Sequence, residues 1–248
     1  MTALARIDDL HKSFGGVSAA SGVSFAVNAG EFLAVIGPNG AGKTTALRLM
    51  AGLLQPDSGR IFFDDRDVTS LPAHARVRLG LGFTHQIVRP FYSFSTIENV
   101  MIAAGHRYTT SPWRALTLRS RQAARDKAAT ILERIGLAAQ TDQSPRALPL
   151  GQRKRLEVAR AIALDPRLLL LDEPLAGLSS AEAATMADLI RTLPQAGITV
   201  VLVEHNLGEV LRVADRIVVL DAGKVLAEGA PAEVMARADV RQAYTGTS

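Results

Sequence analysis

Gly37-Pro38-Asn39-Gly40-Ala41-Gly42-Lys43-Thr44-Thr45 follows the apolar run Phe32-Leu33-Ala34-Val35-Ile36 and leads into Ala46-Leu47-Arg48-Leu49-Met50, whose spacing is helical. The stretch fits Gly-x4-Gly-Lys-[Ser/Thr] in the strand-to-helix setting that this phosphate-binding pattern requires. Glycines let the backbone curl so that successive N–H groups face inward, at a helix N-terminus whose dipole favours anions. A nucleoside triphosphate suits that cradle. Lys43 would reach the β- and γ-phosphates, and the Thr44 hydroxyl would ligate the Mg²⁺ that bridges them. A chance glycine-rich turn would not be expected to carry the flanking strand and helix as well.

Composition bounds the rest. A chain of 248 residues can bury a substantial core as one domain or as a domain with an inserted lobe. With 48% apolar and 21% charged residues, wholesale disorder is not expected. The absence of cysteine excludes disulfides and thiolate sites. The start Met1-Thr2-Ala3-Leu4-Ala5-Arg6 does not read as a secretory signal, and no window approaches the roughly 18 apolar residues of a membrane span. A formal charge of +4 permits contact with nucleic acid or an anionic membrane without demanding either.

Short apolar runs at Leu4 to Leu10, Val23 to Val27, Phe32 to Ile36 and Arg60 to Asp64 alternate with turns at Gly15-Gly16, Asn28-Ala29-Gly30 and Pro56 to Gly59. They predict a β-rich subdomain built around the strand Phe32 to Ile36. Leu79 to Thr84 predicts another strand, ending at His85-Gln86. From about Ile87 to Ala163 the pattern turns helical, with a capped start near Thr96-Ile97-Glu98 and a segment Ser120 to Ile135 rich in Ala, Arg and Leu. Arg114, Arg119, Arg121, Arg125 and Lys127 make the middle of this lobe basic, which reads as a solvated face or, less simply, as a nucleic-acid contact. Leu168 to Leu171, Ile198 to Val203 and Ile217 to Leu220 are apolar throughout, as strands buried on both faces should be. Helical segments at Ala181 to Leu193 and Leu207 to Ala214 separate them and imply a parallel sheet with crossovers. Lys224 to Glu228 adds a short strand, and Pro231 to Tyr244 reads as one helix.

Leu168 to Leu171 ends in Asp172-Glu173-Pro174, two acids at the carboxyl end of a buried strand, where open α/β sheets place their ligand crevice. Asp172 is the expected Mg²⁺ partner, and Glu173 is placed to orient or deprotonate an attacking water. His205, after another strand, could donate to a γ-phosphate or hold that water, or could be structural. Gln86 has the same address; its amide could touch Mg²⁺ or the water, or face solvent. Phe14, just past the first strand, could stack on a base or belong to the core.

The phosphate loop, Gln86, Leu148-Pro149-Leu150-Gly151-Gln152, Leu171-Asp172-Glu173-Pro174 and His205 follow one another in the order and spacing of an ABC transporter nucleotide-binding subunit. The resemblance covers nearly the whole chain. It implies an α/β fold of the P-loop NTPase (RecA-like) type, with a parallel-sheet core, an N-terminal antiparallel β subdomain and an inserted helical lobe. Residues 1–248 would form a single ABC ATPase domain, with 1–86 and 164–248 as the nucleotide-binding core and 87–163 as the lobe. Phe14 sits where that family stacks an aromatic on adenine. Gly37, Pro38, Asn39, Gly40, Ala41, Gly42, Lys43, Thr44 and Thr45 would hold ATP, with Gly151 and Gln152 serving a partner's nucleotide. Thr44, Gln86 and Asp172 would hold Mg²⁺, and Glu173, His205, Gln86 and Lys43 would be catalytic.

Three positions depart from the family pattern. Pro149 replaces the signature serine and Leu150 its first glycine; Ser179, in Ala176-Gly177-Leu178-Ser179, stands where the D-loop often has aspartate. Anion binding at the signature must lean on the Gly151 backbone and the helix N-terminus. Within the family the chain is most similar to the ATPases of branched-chain amino acid importers. Lys12 to Val17, Ser95 to Val100, Ala214 to Leu220 and Ala243-Tyr244-Thr245-Gly246 carry that likeness. The same ATPase type serves permeases for urea, amides or aromatic acids. The resemblance implies transmembrane permease subunits, a second ATPase subunit, identical or related, and a substrate-binding protein acting indirectly. The expected location is the cytoplasmic face of the inner membrane, and nucleic acid is not an expected partner. Phe91-Tyr92-Ser93-Phe94 could receive a permease helix or fill the lobe core. A non-transport ABC ATPase acting on DNA or the ribosome would usually bring a second cassette, a coiled coil or a zinc module. A P-loop kinase would leave the Gly151-Gln152 helix and His205 without a job.

Overall fold

The computed structural model describes residues 3–84, 89–105 and 118–245. Two sheets organise them. The larger has six strands in the order β10-β9-β3-β8-β7-β6. These are β3 (Phe32–Ile36), β6 (Leu81–Thr84), β7 (Leu168–Asp172), β8 (Thr199–Val203), β9 (Arg216–Asp221) and β10 (Lys224–Gly229). The pairs β9–β3, β3–β8, β8–β7 and β7–β6 are parallel, and only β10 runs antiparallel, against β9. The smaller sheet is antiparallel, in the order β2-β1-β4-β5, from β1 (Ala3–Phe14), β2 (Val17–Asn28), β4 (Ser58–Phe63) and β5 (Arg66–Asp67).

The apolar runs are continuous because both faces of the large sheet are covered. Alternate residues of each strand enter different cores. Phe32, Ala34, Ile36, Leu169, Leu171, Val200 and Leu202 join a cluster with the helices α3 (Thr96–Ala104), α4 (Leu118–Arg134), α5 (Leu150–Ile162) and α6 (Ser180–Arg191). Leu33, Val35, Leu168, Leu170, Val201 and Val203 join a second cluster with α1 (Lys43–Ala51) and the antiparallel sheet. This corrects one expectation. Phe32 to Ile36 is not the centre of the antiparallel subdomain but a central strand of the parallel sheet, because its residues are apolar on both faces rather than on one.

Other boundaries shift for local reasons. A short helix α2 (Ala73–Arg78) was not anticipated. Arg76 explains it: the side chain is fully buried and donates to the carbonyls of Leu49, Met50, Thr69 and Leu71. Two of those acceptors lie at the C-terminus of α1, where backbone carbonyls lack helical partners. Burial lowers the Arg76 pKa to about 10. The expected single C-terminal helix is two, α8 (Pro231–Ala236) and α9 (Ala238–Thr245), separated at the extended Arg237. Between α6 and α8 lies α7 (Leu207–Val213). The capped start near Thr96 is a capping box in which Ser95 and Glu98 satisfy one another's backbone N–H groups.

Phe91, Tyr92 and Phe94 are exposed rather than core. Buried Asn99 shapes their loop, accepting from the Phe91 N–H and donating to the Phe91 and Ser95 carbonyls. Phe91 lines a cavity of about 290 Å³ with Phe83, Asn99, Ile102, Glu157 and Arg160. The Arg160 guanidinium lies 4.8 Å from the Phe91 ring centroid.

Candidate active site

Three neighbouring parallel strands, β3, β8 and β7, end side by side. Their carboxyl ends deliver the loop at 37–42, Glu204-His205 and Asp172-Glu173 to one place, as the geometry of open parallel sheets requires. The loop is glycine-dependent at two points. A Cβ on Gly37, at φ 147, would stand 2.0 Å from the Leu220 carbonyl oxygen, and one on Gly42, at φ 95, would stand 2.2 Å from that of Ala19. Gly42 is also the N-cap of α1, with no side chain capping the helix. The first-turn N–H groups are thereby left to an anion.

Lys43 is buried, and its Nζ donates to the carbonyls of Gly37 and Pro38 at 2.8 Å each. Burial lowers its pKa, opposed by the carboxylates of Glu173 and Asp172. The Thr44 hydroxyl donates to Asp172 Oδ1 at 3.3 Å. Glu173 Oε1 and His205 Nε2 are 2.7 Å apart. A cavity of about 370 Å³ is lined by Ala19, Asn39, Gly40, Ala41, Gly42, Lys43, Thr44, Thr45, Glu173 and His205. Its size is that of a small-molecule site.

Most of the residues singled out from sequence thus converge. Gly37 and Pro38 lie beneath Lys43 through their carbonyls, and Asp172 joins through Thr44. Phe14 ends β1, is 47% exposed and carries the Lys12 ammonium 5.6 Å from its ring centroid, so it is not core. It stands outside the cavity lining. Gln86 lies outside the described residues. Gly151 and Gln152 do not reach this cavity. They line another, of about 160 Å³, with Pro149, Arg155, Leu178, Glu182 and Met186. Pro149 is the N-cap of α5 without a side-chain bond. Ser179 caps α6 in a box with Glu182, whose Oε1 would be 2.8 Å from a Cβ placed on Gly151.

Three contributors escaped sequence reasoning. Ala19, from the antiparallel sheet, lines the cavity, and nothing in a lone alanine announces it. Glu204 is buried just past the end of β8; its position beside His205 was the available signal. Lys154 is buried too, and in the run Arg153-Lys154-Arg155 no residue stands out as the inward one.

The constellation fits a magnesium nucleotide. The cradle offers a cation, helix N–H groups and no side chain that would fill it, and Thr44 and Asp172 present two hard oxygens side by side. Among the described residues no group of three or more His, Asp or Glu converges as a metal site. A cation held by Thr44 and Asp172 would leave positions for phosphate oxygens and water.

A family model described as ABC transporter matches residues 20–176, and one described as branched-chain amino acid ATP-binding cassette transporter matches residues 224–248. The chain is 38% identical over 246 residues to the lipopolysaccharide export system ATP-binding protein LptB of Acidithiobacillus ferridurans, covering 99% of this chain and 98% of that protein. It is 36% identical over 249 residues to the high-affinity branched-chain amino acid transport ATP-binding protein LivG of Salmonella typhimurium, covering 98% of each. Among solved structures, the ADP conformation of MJ1267, an ATP-binding cassette of an ABC transporter, superposes with a TM-score of 0.88 at 30% identity over all of both chains. The dimeric bacterial ABC transporter cassette MJ0796 does so with a TM-score of 0.80 at 26% identity, over 92% of this chain and 98% of that one. The chain belongs to the ABC transporter ATP-binding family, as a cassette with the P-loop NTPase fold and an ATPase coupled to transport.

Proposed function

We propose that this chain energises a membrane importer for branched-chain or related amino acids by hydrolysing ATP at the cavity under β3, β8 and β7. The observation that carries the hydrolytic part is the pairing of Glu173 and His205, 2.7 Å apart, on the same cavity as Lys43 and Thr44. Lys43 neutralises β- and γ-phosphate charge, exchanging its bonds to the Gly37 and Pro38 carbonyls for phosphate oxygens. Thr44 and Asp172 would hold Mg²⁺, which offsets phosphate charge when bound. Glu173 accepts the proton of the attacking water, and His205 holds the Glu173 carboxylate in position and donates toward the γ-phosphate. Gln86 would touch the cation or the water. Phe14 offers its exposed ring to adenine.

Gly151 and Gln152 line a different cavity from Lys43, which supports their serving a second ATPase subunit across a head-to-tail pair. The exposed Phe91 loop and its groove would suit a permease helix, which supports a location at the inner face of a membrane through that partner. Among the described residues no helix is long and apolar enough to cross a membrane itself. The match at residues 224–248 supports the amino-acid assignment. The similarity to LptB keeps lipopolysaccharide export as the competing reading.

Replacing Glu173 by Gln should leave ATP binding intact and nearly abolish phosphate release. Wild-type turnover in that variant removes Glu173 from its role. Uptake of labelled leucine, lost on deletion of the gene and restored by the wild-type chain alone, tests the solute; unchanged uptake with a lipopolysaccharide transport defect would favour the other reading.

A further inference from the structure

Glu173 has an unusual backbone. Its φ is 49°, in the left-handed region that non-glycine residues avoid, and the next residue, Pro174, restricts it further. Such a conformation persists only where its surroundings enforce it. Two buried ionic side chains hold this turn. Lys154 of α5, 6% exposed, donates from Nζ to the Glu173 carbonyl oxygen at 2.9 Å. Glu204, at the end of β8 and 2% exposed, accepts from the Leu175 N–H through one carboxylate oxygen and from the His205 N–H, at 3.1 Å, through the other. The loop bearing Glu173 is thereby held to the helix behind it and to the strand end bearing His205.

Burial disfavours both charges, pushing Lys154 below and Glu204 above their ordinary pKa values, while each favours the other's ionised form. A lone ion at either place would be poorly tolerated. Lys154 also lies one helical turn beyond Gly151 on α5. The helix whose first turn carries Gly151 and Gln152 is therefore the one that grips the Glu173 backbone.

We infer that Lys154 and Glu204 are positioning residues for Glu173 and His205, and that Lys154 ties the water-activating pair of this chain to the helix facing the partner's nucleotide. This rests on Glu173 being the base proposed above. Neither residue touches the cavity, so both act on turnover rather than on nucleotide affinity.

The test compares kcat and the Kd for a fluorescent ATP analogue, measured on wild type, Lys154→Met, Lys154→Arg, Glu204→Gln and Glu173→Gln, with kcat expressed per nucleotide-binding site. Lys154→Met should lower kcat about tenfold or more, as a small misplacement of a catalytic group does, with unchanged Kd. Lys154→Arg, which keeps a buried donor cation, should restore most of it. Glu204→Gln cannot accept both N–H groups and should behave as Lys154→Met does. Wild-type kcat in Lys154→Met or in Glu204→Gln overturns the inference, as does a parallel loss of kcat and affinity. If Lys154→Met fails to fold, Glu204→Gln and Lys154→Arg decide: a wild-type kcat in the first or an inactive but nucleotide-binding second overturns it. Should Glu173→Gln itself turn over normally, the assignment of the base has failed, whereas an inactive Glu173→Gln beside a fully active Lys154→Met rejects the positioning role alone.

Discussion

Gly42 shows how narrowly a single position can be constrained. It combines a φ of 95° with a neighbouring carbonyl that would stand 2.2 Å from any Cβ, and it begins the helix that holds Lys43 and Thr44. Gly42→Ala should therefore cost about 3 kcal/mol or more and abolish nucleotide binding, through backbone strain and displacement of the Ala19 strand. Thermal unfolding and nucleotide titration check the two effects. The spacing of Gly42, Lys43 and Thr44 made this legible from sequence, because the phosphate loop is a local structure with local rules. Glu204 and Lys154 were not legible, because what makes them matter is the burial of their charge beside Glu173, and burial is not a property of the neighbouring letters.

At the scale of elements, helix ends are held by different devices, each with a measurable worth. Ser179 caps α6 and exchanges hydrogen bonds with Glu182, which packs toward Gly151 at the start of α5. Ser179→Ala should destabilise the protein by about 1 kcal/mol, while Ser179→Asp, which keeps the cap to the Glu182 N–H but sets a second carboxylate against that of Glu182, should recover only part of the loss; urea titration distinguishes them. The C-terminus of α1 depends instead on Arg76, whose guanidinium serves four carbonyls from two segments. Arg76→Leu should cost about 3 kcal/mol or more by leaving buried acceptors unpaired, read out as a lower urea midpoint. The Ser95 and Glu98 box could be read from spacing, since both partners lie within one turn. The Arg76 plug could not, since its acceptors at Leu49 and Met50 are more than 25 positions away.

For the whole molecule, the separation of Gly151 and Gln152 from the Lys43 cavity makes the proposed head-to-tail pair testable. ATP should shift Glu173→Gln to a dimer on gel filtration, and Lys43→Ala should remain a monomer under the same conditions. A Glu173→Gln chain that stays monomeric with saturating ATP would call for a different, related partner. The sequence by itself determined the parallel sheet, the phosphate loop and the acids at the end of β7, because strand periodicity and loop chemistry act over a few residues. It also carried the order of motifs that marks the family. Only the tertiary structure decided that Phe32 to Ile36 belongs to the large sheet, that Phe14 and the Phe91 loop are exposed, and that Lys154 bonds the Glu173 carbonyl while Glu204 ties Leu175 to His205. These depend on which faces meet across the chain, where hydrogen bonds and burial join residues that no local pattern connects.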